Sequence, residues 1–366
     1  MSNMPEVTST SGSRKTTAIK WPFFWCAGIS LFILASGLTN SSCNSGEAQT
    51  QTNDTTPSIT DSATATIAEP EPLILDTALY DAKVKWITNG DSSGKWPVKD
   101  PYPRPGAILP FKRIVSYYGN LYSKQMGILG ELPEQQMLEK LQGEVKKWQA
   151  ADTTMEVIPA LHYIAVTAQG SPGAAGKYRL RMPFTQIDKV MAMAEKINAL
   201  VFIDVQVGLS NLQSEIPEFE KYLKMPNVHL GIDPEFSMKT GKKPGSVIGT
   251  FDAADINYTT NYLAKLVKEN NLPPKVLIIH RFTQAMVTNY KQIKLLPEVQ
   301  IVMDMDGWGH QARKFNTYRN FIHREPVQFT GFKIFYKNDL KEANSHVLQP
   351  QEVLKLKPQP VYIQYQ

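Results

Sequence analysis

The residues best placed for chemistry in this sequence are acids that close short apolar runs. Asp204 and Gln206 close the run 200–206, Asp233 and Glu235 close the run that starts at 228, and Asp304 and Asp306 close the run that starts at 300. Residues two apart on a strand share a face, so each pair can point the same way. Carboxyls gathered away from water are costly unless they are used or paired. Crowding them also pushes their pKa values apart, leaving one protonated and another ionised. That combination is the equipment of general acid–base chemistry. Glu235 is the candidate acid, since it is the only glutamate among these strand-end groups. Asp306 or Asp304 is the candidate ionised partner, with Asp204 in support. The competing reading of any single one is a cap, because a short carboxylate side chain readily accepts from free backbone N–H groups after a strand.

Further polar residues fall at similar places. His280 closes the run 275–280 and can serve as base, hydrogen-bond donor or metal ligand, although a lone strand histidine is also a common core residue. Lys333 can pair with the acids. Gln206, Asp233, His280 and Tyr336 can bind hydroxyl groups. Trp308, after the sixth run, and Tyr118, at the end of the first, offer rings for stacking on a sugar.

These residues need a frame that brings strand ends together. From about residue 111 onward, short β-branched runs alternate with longer segments of helical period, which argues for a parallel sheet covered by helices. The strand candidates are 113–118, 156–165, 200–206, 228–233, 275–280, 300–304, 331–336 and 361–365. Helices are expected at 134–149, 185–199, 216–223, 252–270, 284–295 and 312–322, with at most a turn or two at 338–343. In the first of these, Met137, Leu138, Leu141, Val145 and Trp148 recur at helical spacing. Eight strands with crossovers over roughly 250 residues fit a closed (β/α)8 TIM barrel, whose chemistry sits where strands end and βα loops begin. An open doubly wound sheet is the rival. No helix follows the eighth strand, and residues 75–87 are the candidate to cover that position.

The chain before the barrel reads as export machinery. Arg14, Lys15 and Lys20 precede an apolar run from Trp21 to Leu38, and Ser41-Ser42-Cys43 follows. This is the layout of a signal peptide over residues 1–43, with a lipoprotein-type ending that makes Cys43 the lipidated residue. An uncleaved anchor is the alternative, since about 18 apolar residues can just span a bilayer. Residues 44–71 are rich in Ser, Thr, Asn and Gln and read as a disordered linker. Residues 72–366 are then the barrel domain. The expected location is the cell envelope, membrane-anchored and extracytoplasmic.

Composition removes several classes. A net charge of +5 over 366 residues, without a dense basic block, argues against nucleic acid. No GxGxxG or Walker motif follows a strand, which argues against a nucleotide. Both cysteines, Cys26 and Cys43, lie in the N-terminal region, so a cysteine metal site in the barrel is excluded.

At Asp204-Val205-Gln206, Asp233-Pro234-Glu235-Phe236, Asp306-Gly307-Trp308-Gly309 and Gly331-Phe332-Lys333-Ile334-Phe335-Tyr336 the sequence resembles a group of secreted bacterial barrel lipoproteins similar to glycoside hydrolases in fold. The resemblance covers most of residues 111–366. It implies the barrel and an extracytoplasmic location, and it carries no substrate or catalytic residue with it. The preferred expectation is a glycoside hydrolase-like, carbohydrate-active enzyme with no cofactor and no metal. Two alternatives stand beside it. One is a non-catalytic glycan-binding lipoprotein whose acids pair with Arg281 or Lys333. The other is a metal-dependent hydrolase using Asp204, Asp233, His280 and Asp304 around a hard cation.

Overall fold

The computed structural model describes residues 74–366. The expected signal peptide, the linker and Cys43 lie outside the described residues. Eight parallel strands form the centre: β1 (Lys112–Gly119), β2 (Glu156–Ala168), β3 (Leu200–Val205), β4 (Val228–Ile232), β5 (Lys275–Arg281), β6 (Val299–Met305), β7 (Phe329–Ile334) and β8 (Tyr362–Tyr365). Each pairs with the next, and β8 returns to β1 with Ile114 opposite Tyr362, so the sheet closes into a (β/α)8 barrel. All eight strands fall on the runs expected from sequence.

The strands are buried on both faces, as parallel strands are. Outward side chains such as Val115, Leu161, Ile203, Leu277, Met303 and Phe332 pack against the surrounding shell. That shell includes α2 (Glu134–Ala151), α3 (Phe184–Glu195), α4 (Ala253–Glu269) and α5 (Gln311–Thr317), the last continuing as a π-helix over Tyr318–His323. Helix α4 starts at a reciprocal cap in which Asp252 accepts from the backbone and Asp255 reaches back to the Asp252 N–H. Inward side chains near the strand starts are apolar: Ile114, Ala160, Phe202, Val276, Ile278 and Val302.

Two expectations need correction. Residues 284–295 do not form a helix. Two 3-10 turns, Gln284–Met286 and Tyr290–Gln292, flank a short strand, Val287–Thr288, which pairs with Phe251–Asp252. The β-branched pair favours extension. Asn289 then takes a left-handed conformation, with φ at 56°. In addition, the Arg281 guanidinium takes the carbonyls of Thr283, Gln284 and Val287. The second correction concerns the N-terminal helix α1 (Thr77–Ile87). It does not stand in the eighth helix position but closes the barrel floor. Tyr80 and Ile87 join the inward apolar cluster with Ile114, Phe202, Val302 and Phe329. Lys83 Nζ donates to the Thr154 carbonyl at 2.6 Å, and Asn89 donates to the carbonyls of Leu354 and Leu356 at 3.0 and 2.9 Å. The flank of β8 is covered instead by α2, whose Trp148 Nε1 donates to the Tyr365 hydroxyl at 2.9 Å.

Two strand glycines make room at the centre. A Cβ on Gly231 would lie 2.3 Å from His162 Nε2 and 2.5 Å from Asp204 Oδ1, and one on Gly331 would lie 2.5 Å from Asp304 Oδ1. Glycine inside a strand commonly marks such a close approach. Gly231→Ala is therefore expected to destabilise the protein by about 1–3 kcal/mol through overpacking. Gly143→Ala is the contrast: it lies in α2 with nothing within 4 Å of a built Cβ, so the gain in helix propensity should stabilise by about 0.5–1 kcal/mol. Urea unfolding of the two variants measures both, and equal signs would refute the packing argument.

Candidate active site at the barrel mouth

Every strand contributes an inward polar residue at or just beyond its C-terminal half. These are Tyr118 from β1, His162 from β2, Asp204 and Gln206 from β3 and its extension, Asp233 after β4, and His280 from β5. Asp304 and Asp306 come from β6 and its extension, Lys333 from β7, and Gln364 from β8. Strand alternation selects them, since each lies an even number of residues from an inward position of its own strand, an apolar side chain in most strands and Gly231 before Asp233.

The groups form one connected network. His162 Nε2 lies 3.2 Å from Asp204 Oδ1, and its Nδ1 lies 2.7 Å from the Tyr362 hydroxyl. Tyr118 donates its hydroxyl proton to Asp204 Oδ2 at 2.9 Å. His280 sits between acids, with Nε2 3.4 Å from Asp204 and Nδ1 3.2 Å from Asp306 and 3.5 Å from Asp304. Lys333 Nζ pairs with Asp306 Oδ1 at 2.9 Å and lies 4.0 Å from the centre of the Tyr118 ring. Gln206 donates to the Tyr118 hydroxyl at 3.2 Å and to Asp233 at 3.4 Å. Asp233 also accepts from the Glu235 N–H at 3.0 Å, capping the turn Pro234–Phe236 that carries Glu235. Loops at the mouth are stapled by Asp339, which accepts from the Gly309 and Phe335 N–H groups and from Lys314 Nζ.

Charge separates the acids into two kinds. Burial opposes ionisation of Asp204, but the hydrogen bond from His162 and the neighbouring His280 outweigh it and hold the carboxyl well below its usual range. Burial likewise opposes ionisation of Asp306, yet Lys333 and His280 bring it below its ordinary value. Asp304 goes the other way, raised by burial that His280 only partly offsets. Burial, together with the charges of Asp204 and Asp306, pushes Asp233 up to about 7. Burial, then the charges of Asp233 and Asp306, push Glu235 up to about 8. Burial disfavours the imidazolium of His280, but Asp204, Asp304 and Asp306 around it raise its pKa well above the ordinary value. In His162 burial prevails and its pKa falls to about 4.

Depth sorts the expected residues. Asp204, Asp304 and His280 are wholly enclosed, at 0% exposure. Gln206, Asp233, Asp306 and Lys333 lie above them with small exposed surfaces. Glu235 is surrounded by protein mass, yet part of its surface reaches solvent, and its side chain makes no hydrogen bond or ion pair among the described residues. Trp308 is partly buried on the loop after β6, with Lys341 Nζ 5.4 Å from the centre of its ring.

Three expected roles are corrected by this geometry. Tyr118 is only 3% exposed, edge-on to His162 and His280, and is no stacking platform. Tyr336 lies outside the barrel wall. Its hydroxyl meets those of Tyr117 and the carboxyl of Glu144 on α2, at 3.0 and 3.1 Å. Residue 336 is three positions from inward Lys333, so alternation sends it to the opposite face. Arg281, next to inward His280, likewise points outward and pairs with Glu325. Conversely, His162, Tyr362 and Gln364 belong to the network but were absent from the expected site. The signal available for them was the same alternation, together with glycines in β4 and β7 that imply bulky inward neighbours.

A closed eight-stranded parallel barrel with carboxyls, two histidines and a lysine at its C-terminal end defines the class. No family model matches the sequence, and no curated protein is significantly similar to it. Solved structures of similar fold include Cel5A of Thermotoga maritima with cellobiose, at 10% identity over 69% of this chain and 88% of that one, with a TM-score of 0.36. A ruminal endo-β-1,4-mannanase of family GH26 shares 10% identity over 74% of this chain and 64% of its own, with a TM-score of 0.34. A dihydropteroate synthase from Coxiella burnetii with pteroic acid stands at 11%, 69% and 87%, with a TM-score of 0.30. Likenesses this remote carry no reaction over, so the chemistry has to be read from the site.

The Lys333–Asp306 pair gives a direct test of the charge arrangement. Lys333→Ala strands a buried carboxylate and is expected to cost about 3–5 kcal/mol, whereas Lys333→Met combined with Asp306→Asn should recover most of the loss. A single-variant cost under about 1 kcal/mol in chemical denaturation, typical of an exposed pair, would show that the pair is not buried as described.

Proposed function

We propose that this protein is a glycoside hydrolase-like, carbohydrate-active enzyme, with Glu235 as general acid and Asp306 as its ionised partner. One observation carries the reading. Glu235 alone among the clustered acids combines solvent access, freedom from any ion pair and a carboxyl held up to about 8, while Asp306 beside it is paired to Lys333 at 2.9 Å. Two carboxyls whose surroundings push them apart are what glycosidic cleavage requires. Protonated Glu235 gives its proton to the leaving glycosidic oxygen as the C–O bond breaks. As it breaks, the Asp306 carboxylate either bonds to the anomeric carbon, forming a glycosyl ester that water then cleaves while the Glu235 carboxylate takes the water's proton, or itself takes a proton from the water that attacks that carbon. Separations of about 5–5.5 Å belong to the first course and about 6.5–9.5 Å to the second.

The other residues support these two. Asp233 fixes the Glu235 turn through its hydrogen bond to the backbone. Asp204, Asp304 and His280 lie too deep to touch substrate and set the field around Asp306. Gln206 and Trp308 supply polar and aromatic contact for a sugar at the rim. The expected location belongs to the same proposal: the basic segment, the apolar run and Cys43 are the support for an extracytoplasmic lipoprotein. Among the described residues no helix is long and apolar enough to cross a membrane. Cys43→Ser should move the expressed full chain from the membrane to the soluble fraction, and unchanged fractionation sinks the lipid anchor.

The Lys333–Asp306 pair also favours a second reading, a non-catalytic glycan-binding barrel, because a carboxylate engaged by an ammonium is a weaker nucleophile and base. Glycan binding without turnover would select it.

The acid role predicts a pH profile. A general acid works only while protonated, so activity should persist well above the ordinary glutamate value of 4.5 and fall as pH passes about 8. Glu235→Gln should lower kcat/KM by about 10²–10⁴-fold on natural glycans. The loss should be much smaller on aryl glycosides whose leaving group needs no proton. An alkaline limb that survives in Glu235→Gln assigns the acid to another residue.

A further inference from the structure

One layer below the mouth, three donor atoms converge from three strands. His162 on β2, Asp204 on β3 and His280 on β5 each bring one donor atom to within 4.8 Å of the other two. Asp204 Oδ1 is 3.2 Å from His162 Nε2 and 3.4 Å from His280 Nε2. Neighbouring ligands of a tetrahedral ion with bonds of about 2.0–2.1 Å stand about 3.3 Å apart. All three residues are fully buried.

A hydrogen bond accounts for the His162–Asp204 contact at 3.2 Å, but nothing equivalent accounts for the His280 side of the triad. Neither ring nitrogen of His280 makes a hydrogen bond, although both face carboxylates, and both carboxyl oxygens of Asp304 are likewise without one. Ion-pair proximity at 3.2–3.5 Å without hydrogen-bond geometry leaves the enclosed imidazole incompletely satisfied. A cation at the Nε2 side gives that nitrogen a bond and leaves the Nδ1 side to carboxylates.

The remote nitrogens have the partners that ligating histidines use. His280 Nδ1 faces Asp306 at 3.2 Å and Asp304 at 3.5 Å, and His162 Nδ1 faces the Tyr362 hydroxyl at 2.7 Å. The carboxylates beside His280 hold its proton at Nδ1 and leave Nε2 as the free ligand atom; at His162 the Gln364 amide nitrogen also lies 3.1 Å from Nδ1, so ligation there moves the proton from Nε2 to Nδ1, with the Tyr362 hydroxyl accepting it. Strand β4 lies between β3 and β5, and any side chain there would separate Asp204 from His280. Its inward residue at that height is Gly231, opposite Asp204, where a Cβ would collide with the donor atoms themselves. The absence of a side chain on β4 is what lets ligands from β3 and β5 meet.

We propose that His162, Asp204 and His280 bind a divalent transition-metal ion. Two imidazoles and one carboxylate suit zinc or iron(II) and do not suit magnesium or calcium, which prefer all-oxygen sets. This ligand set departs from the hard-cation expectation, in which Asp233 and Asp304 were ligands. Asp233 is turned to Gln206 and the Glu235 backbone, and His162 takes part instead. The proposal does not rest on the hydrolase reading. A dication here favours the ionised form of nearby carboxyls, so the alkaline limit near 8 belongs to protein freed of metal, and loading should move it to lower pH.

The test uses the full purified chain equilibrated with zinc or cobalt(II), with unbound metal removed by gel filtration. About one ion per chain by mass spectrometry, a rise in Tm and visible d–d absorption of the cobalt protein are expected. His280→Gln and Asp204→Asn should lose the ion. Tyr362→Phe, which touches no ligand atom, should weaken binding by about 10–100-fold. If the ligand variants fail to fold, the cobalt spectrum and Tm shift of the unaltered protein decide. No retained metal and no d–d bands overturn the proposal, as does equal binding by the ligand variants or displacement by excess magnesium. Metal binding without glycan cleavage leaves this site standing and sinks the hydrolase, and the reverse result does the opposite.

Discussion

Charges at the centre of a closed barrel must alternate, and much of this structure follows from that constraint. Water is excluded where Asp204, His280, Asp306 and Lys333 meet, so each charge needs an opposite neighbour or must give up its proton. Going round the barrel, the order is acid on β3, imidazole on β5, acid after β6 and ammonium on β7. Tyr118 closes the circuit, donating to Asp204 with its ring beneath Lys333. Such arrangements contribute little to stability when compared with apolar packing. Their effect is on register. A slip of one residue on any of these strands would send its charged group into the apolar layer between wall and helices.

The same constraint explains why the acids differ. A fixed number of cations can hold only some carboxyls ionised. Asp204 and Asp306 have the nearest cationic or hydrogen-bonding partners and go down, and the remaining acids go up. Glu235 stands last in this order because its turn carries it outward from the circuit. Reactivity at the rim is thus set by residues that never reach the rim.

Much of this was legible in the sequence. The alternation of β-branched runs with helical segments located all eight strands, because burial on both faces gives parallel strands a dense apolar signature. Acids at strand ends were legible as a cluster for the same reason. The errors have physical causes. Lys333 and Tyr336 read as members of one site by type, although three residues separate them, which on a strand means opposite faces. His162 and Gln364 are legible as polar residues on strands, but the sequence gives them no role, because only register with Tyr118 and Phe202 reveals the company of His162. The segment 284–295 has helical spacing, but Val287, Thr288 and Asn289 carry a local preference for extension and reversal, and Arg281 takes its carbonyls. Helix α1 is legible as a helix but its position is not, since nothing in an amphipathic pattern tells a side wall from a floor.

That floor gives the molecule a direction. Helix α1 begins at Thr77, close to the start of the described chain, and lies under the strand starts rather than beside the barrel. The described chain therefore enters the domain at the end opposite the carboxyls. Chain entry and carboxyls thus occupy opposite ends of the barrel, and the first described residues leave the face that carries the acids unobstructed.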